Sequence, residues 1–165
     1  MILDTDTLMQ EAMPEVLHEN NVTLYPGTYR EHKEYLLKLA GIDRYNRTPR
    51  EQLEKGLEHI KYLWLGKASG EIGGILFMCY LKHMGWWTLD AYKDPAIDNR
   101  DGDWSYRGAK LVIDWFFKNH TVNDLYTIHR VENHAATKMC ERLGFKVRYA
   151  NPQFIILKKR RDLWV

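Results

Sequence analysis

Between residues 62 and 92 the chain holds three aromatic and aliphatic segments, 62–65, 72–81 and 86–92, separated only by Gly66…Gly70 and by His83-Met84-Gly85. Connections this short allow hairpins and leave no room for a crossover helix, so this stretch predicts an antiparallel meander. On either side the pattern changes to helical spacing. Thr28-Tyr29-Arg30-Glu31 has the capping-box order, in which a hydroxyl and a carboxylate satisfy each other's backbone donors. The helix it opens buries Leu36, Leu37 and Leu39 and stops near Gly41. Thr48-Pro49-Arg50-Glu51 repeats the device with proline at the first helical position, ahead of Leu53, Leu57 and Ile60.

The remaining segments alternate. Residues 22–25 form a strand before the first helix. Ser105 is placed to cap a helix over about 106–119, packed through Leu111, Val112, Trp115 and Phe116. A strand at 125–129 follows, then a helix from Asn133 through Leu143 with Gly144 as its left-handed stop, then strands near 145–149 and 154–158. Residues 5–18 predict an extra N-terminal helix. Leu8, Met9, Ala12, Met13, Val16 and Leu17 share one face of it, although Pro14 interrupts. The order implies an α/β (α+β) layered fold with a mixed, mostly antiparallel central sheet flanked by helices. No linker or repeat divides the 165 residues, so one domain is expected: a helical extension over 1–21, a core over 22–158 and a basic tail over 159–165.

Charge narrows the function classes. Lys and Arg total 24 against 22 Asp and Glu, a balance that does not suggest a dedicated polyanion binder. No apolar run approaches the roughly 18 residues of a membrane span. Residues 1–29 hold five acidic and no basic side chains, so no secretory leader is expected. Cys79 and Cys140 are then expected as reduced thiols in a cytoplasmic protein. Residues 141–165 hold seven basic and two acidic side chains, an asymmetry that suits attraction to nucleic acid or head-to-tail pairing in a homodimer. The run Lys158-Lys159-Arg160-Arg161 reads more simply as a protected sheet edge and a solvated end.

The segment 132–145, Glu-Asn-His-Ala-Ala-Thr-Lys-Met-Cys-Glu-Arg-Leu-Gly-Phe, resembles the helix-and-turn signature of the GCN5-related N-acetyltransferases: an Asn, an Ala three positions on, and a helix ending in Leu-Gly-Phe. The element order over 22–158 is also similar to that fold. A second motif of the family, an Arg or Gln followed by spaced glycines opening a helix, is matched in part by Arg107-Gly108-Ala109-Lys110-Leu111-Val112. Lys110 and Val112 stand where further glycines are expected.

The resemblance implies an acyl-CoA-dependent N-acyltransferase with acetyl-CoA as co-substrate and a primary amine as acceptor. The amine belongs to a small molecule, a protein or a nucleic acid. A helix N-terminus offers free N–H groups and a positive dipole end to a pyrophosphate. Gly108 and Ala109 are the small residues there, and Tyr106, Arg107 and Lys110 add donors and charge. Asn133 caps its helix and by resemblance meets the pantetheine arm, past which Ala135 and Ala136 keep the helix slim. Cys140 stands where many relatives have the tyrosine that protonates the leaving thiolate. It reads either as that acid or as a small buried hydrophobe. Tyr92, Tyr106 and Tyr126 are alternative acids. Asp90 lies in the strand that carries the general base in many relatives, sharing a face with Trp86, Thr88 and Tyr92, and His83 is a second candidate.

Other groupings carry less. Asp94, Asp98, Asp101, Asp103 and Gly102 have calcium-loop composition without its spacing, which leaves a solvated loop that lines the acceptor site with Trp104. His129 and His134 lack partners at zinc-ligand spacing. An alternative reading keeps the fold and loses the chemistry. The incomplete glycine loop and the missing tyrosine then mark a structural, regulatory or macromolecule-binding component, similar to small phage-encoded relatives with reduced loops.

Overall fold

The computed structural model describes residues 13–68, 70–96 and 103–164. A hairpin, β1 (Leu17–Glu19) and β2 (Val22–Gly27), turns at Asn20, whose φ of 51° suits an asparagine. Helices α1 (Tyr29–Ile42) and α2 (Arg50–Leu57) follow, then the meander β3 (Ile60–Ala68), β4 (Glu71–Leu81) and β5 (Trp86–Lys93). The chain continues through α3 (Trp104–Asn119), β6 (Asp124–Arg130), α4 (His134–Arg142), β7 (Lys146–Ala150) and β8 (Phe154–Arg160) into a 3₁₀ turn, Arg161–Leu163. The strands form one sheet in the order β1-β2-β3-β4-β5-β6-β8-β7. Every pairing is antiparallel except β5 with β6.

Each face of the sheet has its own core. Under α1 and α2, Leu36, Leu37 and Leu57 pack on Leu63, Ile75, Phe77 and Cys79. On the other face Trp64, Leu76, Trp87 and Leu89 meet α3 through Val112, Trp115 and Phe116, while Leu125, Ile155 and Leu157 meet α4 through Cys140 and Leu143. Burying a side chain of this size is worth about 1.5–3 kcal/mol, which is why these helices lie on the sheet. No helix among the described residues is long and apolar enough to cross a membrane.

The capping readings hold at two helices. Thr28 Oγ1 accepts from Glu31 N at 3.2 Å, and Glu31 Oε1 accepts from Thr28 N at 3.1 Å. Asn133 Oδ1 accepts from Ala136 N at 3.2 Å. At the far end of α4, Phe145 N bonds Cys140 O and Gly144 N bonds Glu141 O, with Gly144 at φ 94°: a Schellman stop.

Several expectations are corrected. The N-terminal helix over 5–18 fails in the described part: residues 13–16 are in no helix, Leu17 and His18 belong to β1, and Glu15 O accepts from Trp64 Nε1 (residues 1–12 lie outside the described part). Thr48 does not cap α2; the N-cap is Pro49 with no side-chain bond, and Ile60 opens β3 instead of ending the helix. Gly66 is inside β3, not in a turn. Ser105 does not cap α3, which starts one residue before it, at Trp104, with Asp103 as an N-cap whose side chain makes no capping bond.

Trp104 explains that last start. It is fully buried, and its indole fills a space left open by two glycines. A Cβ at Gly66 would stand 2.2 Å from Trp104 Cζ2, and one at Gly73 would stand 2.5 Å from Trp104 Nε1. Trp104 is therefore core, not part of an acceptor loop. Asp94 at the start of that loop is also tied down, accepting from Tyr35 Oη at 2.6 Å and from Ala96 N at 2.9 Å. Asp98, Asp101 and Gly102 lie outside the described residues.

The basic end is not a solvated edge. β8 is interior, with β7 outside it. Lys158 pairs with Asp124 at 4.0 Å. Lys159 donates to Leu143 O at 2.7 Å, and Arg161 donates to the carbonyls of Phe117 and His120. Two of these cations thus sit on the C-terminal carbonyls of α4 and α3, where the helix dipole favours them.

Candidate active site

β5 and β6 run parallel and meet at a single residue pair, Thr88 with Tyr126. Beyond it β5 continues to Lys93 and β6 to Arg130 with no further pairing, so the sheet opens. A cavity of about 450 Å³ occupies the opening, lined by Leu89–Tyr92 (residues 89–92) of β5 and residues 127–130 of β6. Strand alternation divides its lining between the two faces of the sheet. Leu89 and Ala91 point with the α3 core; Asp90 and Tyr92 point with the α1 core. On β6, Thr127 and His129 face α4, since Thr127 Oγ1 donates to Cys140 Sγ at 3.6 Å and His129 Nε2 lies 2.8 Å from Thr137 Oγ1. Ile128 and Arg130 therefore face the α1–α2 side.

The chamber beside α3 and α4 is narrow-walled and largely apolar. Ala109 from α3 and Ala136, Met139, Cys140 and Leu143 from α4 line it, with Asn133 at the start of α4. Ala109, Asn133, Ala136 and Cys140 of the expected set are thus brought together. Cys140 is buried, and burial pushes its thiol up from the ordinary value. A thiol held neutral there packs as a small hydrophobe. Cys140→Ala is accordingly expected to cost about 1 kcal/mol of stability and to leave turnover per folded molecule within about twofold, read by thermal melts beside initial rates.

The chamber on the other face is polar. Asp90 is half-buried in the cavity wall, and desolvation there pushes its carboxyl up to about 7. Tyr92 is raised by burial and by the charges of Asp90, Asp43 and Cys79, and its ring stacks on Phe77 at 6.0 Å. The connection between α1 and α2 supplies the outer wall with Asp43, Tyr45, Asn46, Arg47, Thr48 and Pro49. Asx bonds fix its course: Asp43 Oδ1 accepts from Tyr45 N at 2.9 Å and Asn46 Oδ1 from Thr48 N at 3.1 Å. Asp43, Arg47 and Arg130 were not expected from the sequence. The Asp…Asn spacing between two capped helices signals a structured turn but not what that turn faces.

The N-terminus of α3 is separate from this cavity. The N–H groups ahead of its first i→i−4 bond, Arg107 N to Asp103 O at 2.8 Å, are those of Trp104, Ser105 and Tyr106. Gly108 lies one turn further in and faces Leu76, 3.4 Å from where its Cβ would be. Arg107 donates to Glu19 O and to Asn21 Oδ1, and Lys110 pairs with Asp114 at 3.3 Å. Tyr106 lies under the Arg142 guanidinium at 3.9 Å, and Arg142 binds Asp103 at 2.9 Å, joining α4 to the first turn of α3. Of the remaining acid and base candidates, Tyr126 stacks on Trp86 at 4.1 Å, and His83 is exposed in the β4–β5 turn.

No protein-family model matches the chain, and no curated protein does. Solved structures do. An acetyltransferase from Agrobacterium tumefaciens str. C58 superposes with a TM-score of 0.70 at 13% identity, over 89% of this chain and 94% of that one. A probable acetyltransferase of the GNAT family from Chromobacterium violaceum gives 0.68 at 15% identity, over 92% and 89%. RimL, the ribosomal L7/L12 alpha-N-protein acetyltransferase, gives 0.63 at 12% identity, over 88% and 98%, in a complex where coenzyme A is in disulfide linkage with a cysteine. One parallel strand pair in an otherwise antiparallel sheet, helices on both faces and these superpositions lead to one assignment: the chain has the fold of the GCN5-related N-acetyltransferases.

Proposed function

We propose that the chain transfers an acetyl group from acetyl-CoA to a primary amine. The observation that carries this reading is the cavity running through the sheet where β5 and β6 part, apolar on the α3–α4 side and polar on the α1–α2 side, with Asp90 in its wall. Two substrates must meet in such a reaction, and a gap in a sheet lets them approach from opposite faces. The open edge of β5 beyond Thr88 offers backbone groups to the amides of a pantetheine arm, as an added strand would. Ala109 and Ala136 leave room for that arm, and backbone N–H groups of β5 stand by for the developing oxyanion. Acetyl-CoA supplies the activated acyl group as a thioester.

The protein's own part is proton handling and positioning. Asp90, ionised above about pH 7, takes one proton from the entering ammonium. The nitrogen lone pair then forms the new C–N bond as the C–S bond breaks. The second nitrogen proton ends on the departing sulfur, with Tyr92, whose hydroxyl stays protonated, as the group that relays it. Holding both reactants in line supplies much of the remaining acceleration.

The phosphates would reach the first turn of α3, where Tyr106 and Arg142 stand and Asp103 already binds Arg142. Asp103 competes with an incoming pyrophosphate for that guanidinium. Acetyl-CoA at about a hundredfold excess over Kd is expected to stabilise the fold by about 2.7 kcal/mol, and Asp103→Asn to tighten binding several-fold by freeing Arg142. Thermal shift and calorimetry on both forms check this. A second reading, a protein with the fold but no turnover, is favoured by one feature: Gly108 packs on Leu76 and not at the helix N-terminus. No stabilisation at millimolar acetyl-CoA in either form would select it.

A further inference from the structure

We propose that the acceptor is a compact amino acid, its amino group at Asp90 and its carboxylate held by Arg47 and Arg130. This rests on the acetyl-transfer reading and narrows its acceptor. Among the described residues, the charged side chains lining the α1–α2 chamber are Asp43, Asp90, Arg47 and Arg130. They are not intermixed. The two carboxylates gather around Tyr92, whose hydroxyl both of them raise. The two guanidiniums gather at the end of β6, where Glu132 Oε1 lies 3.0 Å from Arg130 Nε and 4.0 Å from Arg47 Nη2.

One carboxylate therefore serves two guanidiniums. Each guanidinium carries five N–H donors, so one net positive charge and most of the donors remain for a second anion. Arg130 is set for that role: its side chain is 23% exposed, and its guanidinium rests over the Phe154 ring at 5.3 Å. Partial burial strengthens its attraction for an anion. Arg47, 67% exposed, is the adjustable member. A simple amine would use the acidic end and leave this basic end idle. An amino acid uses both, and opposite charges at its two ends fix which atom faces the thioester.

The size of the chamber points the same way. The whole cavity is about 450 Å³, shared between both faces of the sheet. The Arg47–Glu132 contact, at 4.0 Å, also links the α1–α2 connection to the turn before α4. Tyr45, Pro49, Ile128 and Phe154 add apolar surface beside the polar Asn46, Thr48 and Gln52, room for a side chain of mixed character.

The test compares matched pairs that differ only by the carboxylate: L-phenylalanine against phenethylamine, and 4-aminobutyrate against propylamine, each with saturating acetyl-CoA and thiol release as the readout. The amino acid of at least one pair is expected to be preferred about 100-fold in kcat/KM, through KM, as a charge-assisted contact of this kind predicts. Arg130→Met and Arg47→Met should each cut that preference about tenfold, and Glu132→Gln should raise it. Equal or better use of both amines, a preference that survives both arginine substitutions, or faster acetylation of a peptide N-terminus than of either amino acid overturns the proposal and leaves acetyl transfer standing. If no acceptor is turned over, the transfer reading fails, and calorimetry of L-phenylalanine and phenethylamine with the unliganded protein decides. Binding that needs the carboxylate and is lost in Arg130→Met supports the amino-acid site; binding without that dependence, or none, overturns it.

Discussion

Asp90→Asn is expected to lower kcat/KM by about 10²–10⁴-fold while acetyl-CoA binds with unchanged affinity. The carboxylate sits on the α1–α2 face of β5, and the groups expected to meet acetyl-CoA lie on the opposite face and on α3 and α4. Its replacement therefore removes a proton acceptor and leaves the thioester's place intact. Burial has pushed Asp90 up to about 7, so the wild-type rate should rise tenfold per pH unit below that value and level off above it. The variant should show no such limb. Stability gives an independent check on the same group. A carboxyl raised in the folded state is protonated there while the unfolded chain has already ionised. Its favourable contribution is complete below the ordinary carboxylate range, and it is lost as pH rises through about 7. The asparagine variant lacks that loss, so it should melt above the wild type at pH 8 by an amount worth up to a few kcal/mol, with the gap closing toward pH 4. Full activity with an unchanged pH profile would remove Asp90 from the mechanism and leave His83 or a bound water as the base.

The parts of this molecule that were readable in advance depend on neighbours within a few residues. Short glycine turns announced the β3–β4–β5 meander, and Thr28 with Glu31 announced α1. Asn133 and Gly144 fixed both ends of α4. Alternation alone puts Asp90 on the face of Tyr92, and its cross-strand partner Phe77 belongs to the core on that side. The misread parts depend on partners far along the chain. Ser105 has the right chemistry for a cap, yet the helix begins at Trp104 because Gly66 and Gly73, on two other strands, leave room for an indole. Leu17 fits a helical stripe, yet β2 offers it a strand partner in Leu24. Arg161 looked like a solvated cation until the C-terminal carbonyls of α3 came within reach. The cavity itself exists because β5 and β6 stop pairing after Thr88 and Tyr126, and no local signal marks where a parallel pair parts. Asp43, Arg47 and Arg130 became visible as wall residues only once that opening was in place.

Trp104→Ala is expected to destabilise the protein by about 3–5 kcal/mol, seen as a fall in Tm of roughly 10 °C or more. The indole is fully buried between α3 and the sheet, and nothing nearby can collapse into its volume without moving β3 or β4. The complementary change, Gly66→Ala, should also be costly. Its Cβ would arrive 2.2 Å from Trp104 Cζ2 and 3.1 Å from a Leu24 methyl, and the ring has no free space to retreat into. The decisive measurement is the double variant. With the indole gone, the added methyl loses its closest clash and partly fills the hole beside Leu24, so the two losses should fall short of their sum by about 1–3 kcal/mol. Additive losses would mean that Gly66 serves β3 for some reason other than the ring, and the account of why α3 begins at Trp104 would fail with it. The same ring sets the position of Tyr106 and the backbone N–H groups around it, because the helix is registered from its first residue. Trp104→Ala should therefore weaken acetyl-CoA binding by more than tenfold even at temperatures where the variant remains folded, whereas Phe at this position, keeping most of the aromatic volume, should restore most of both properties.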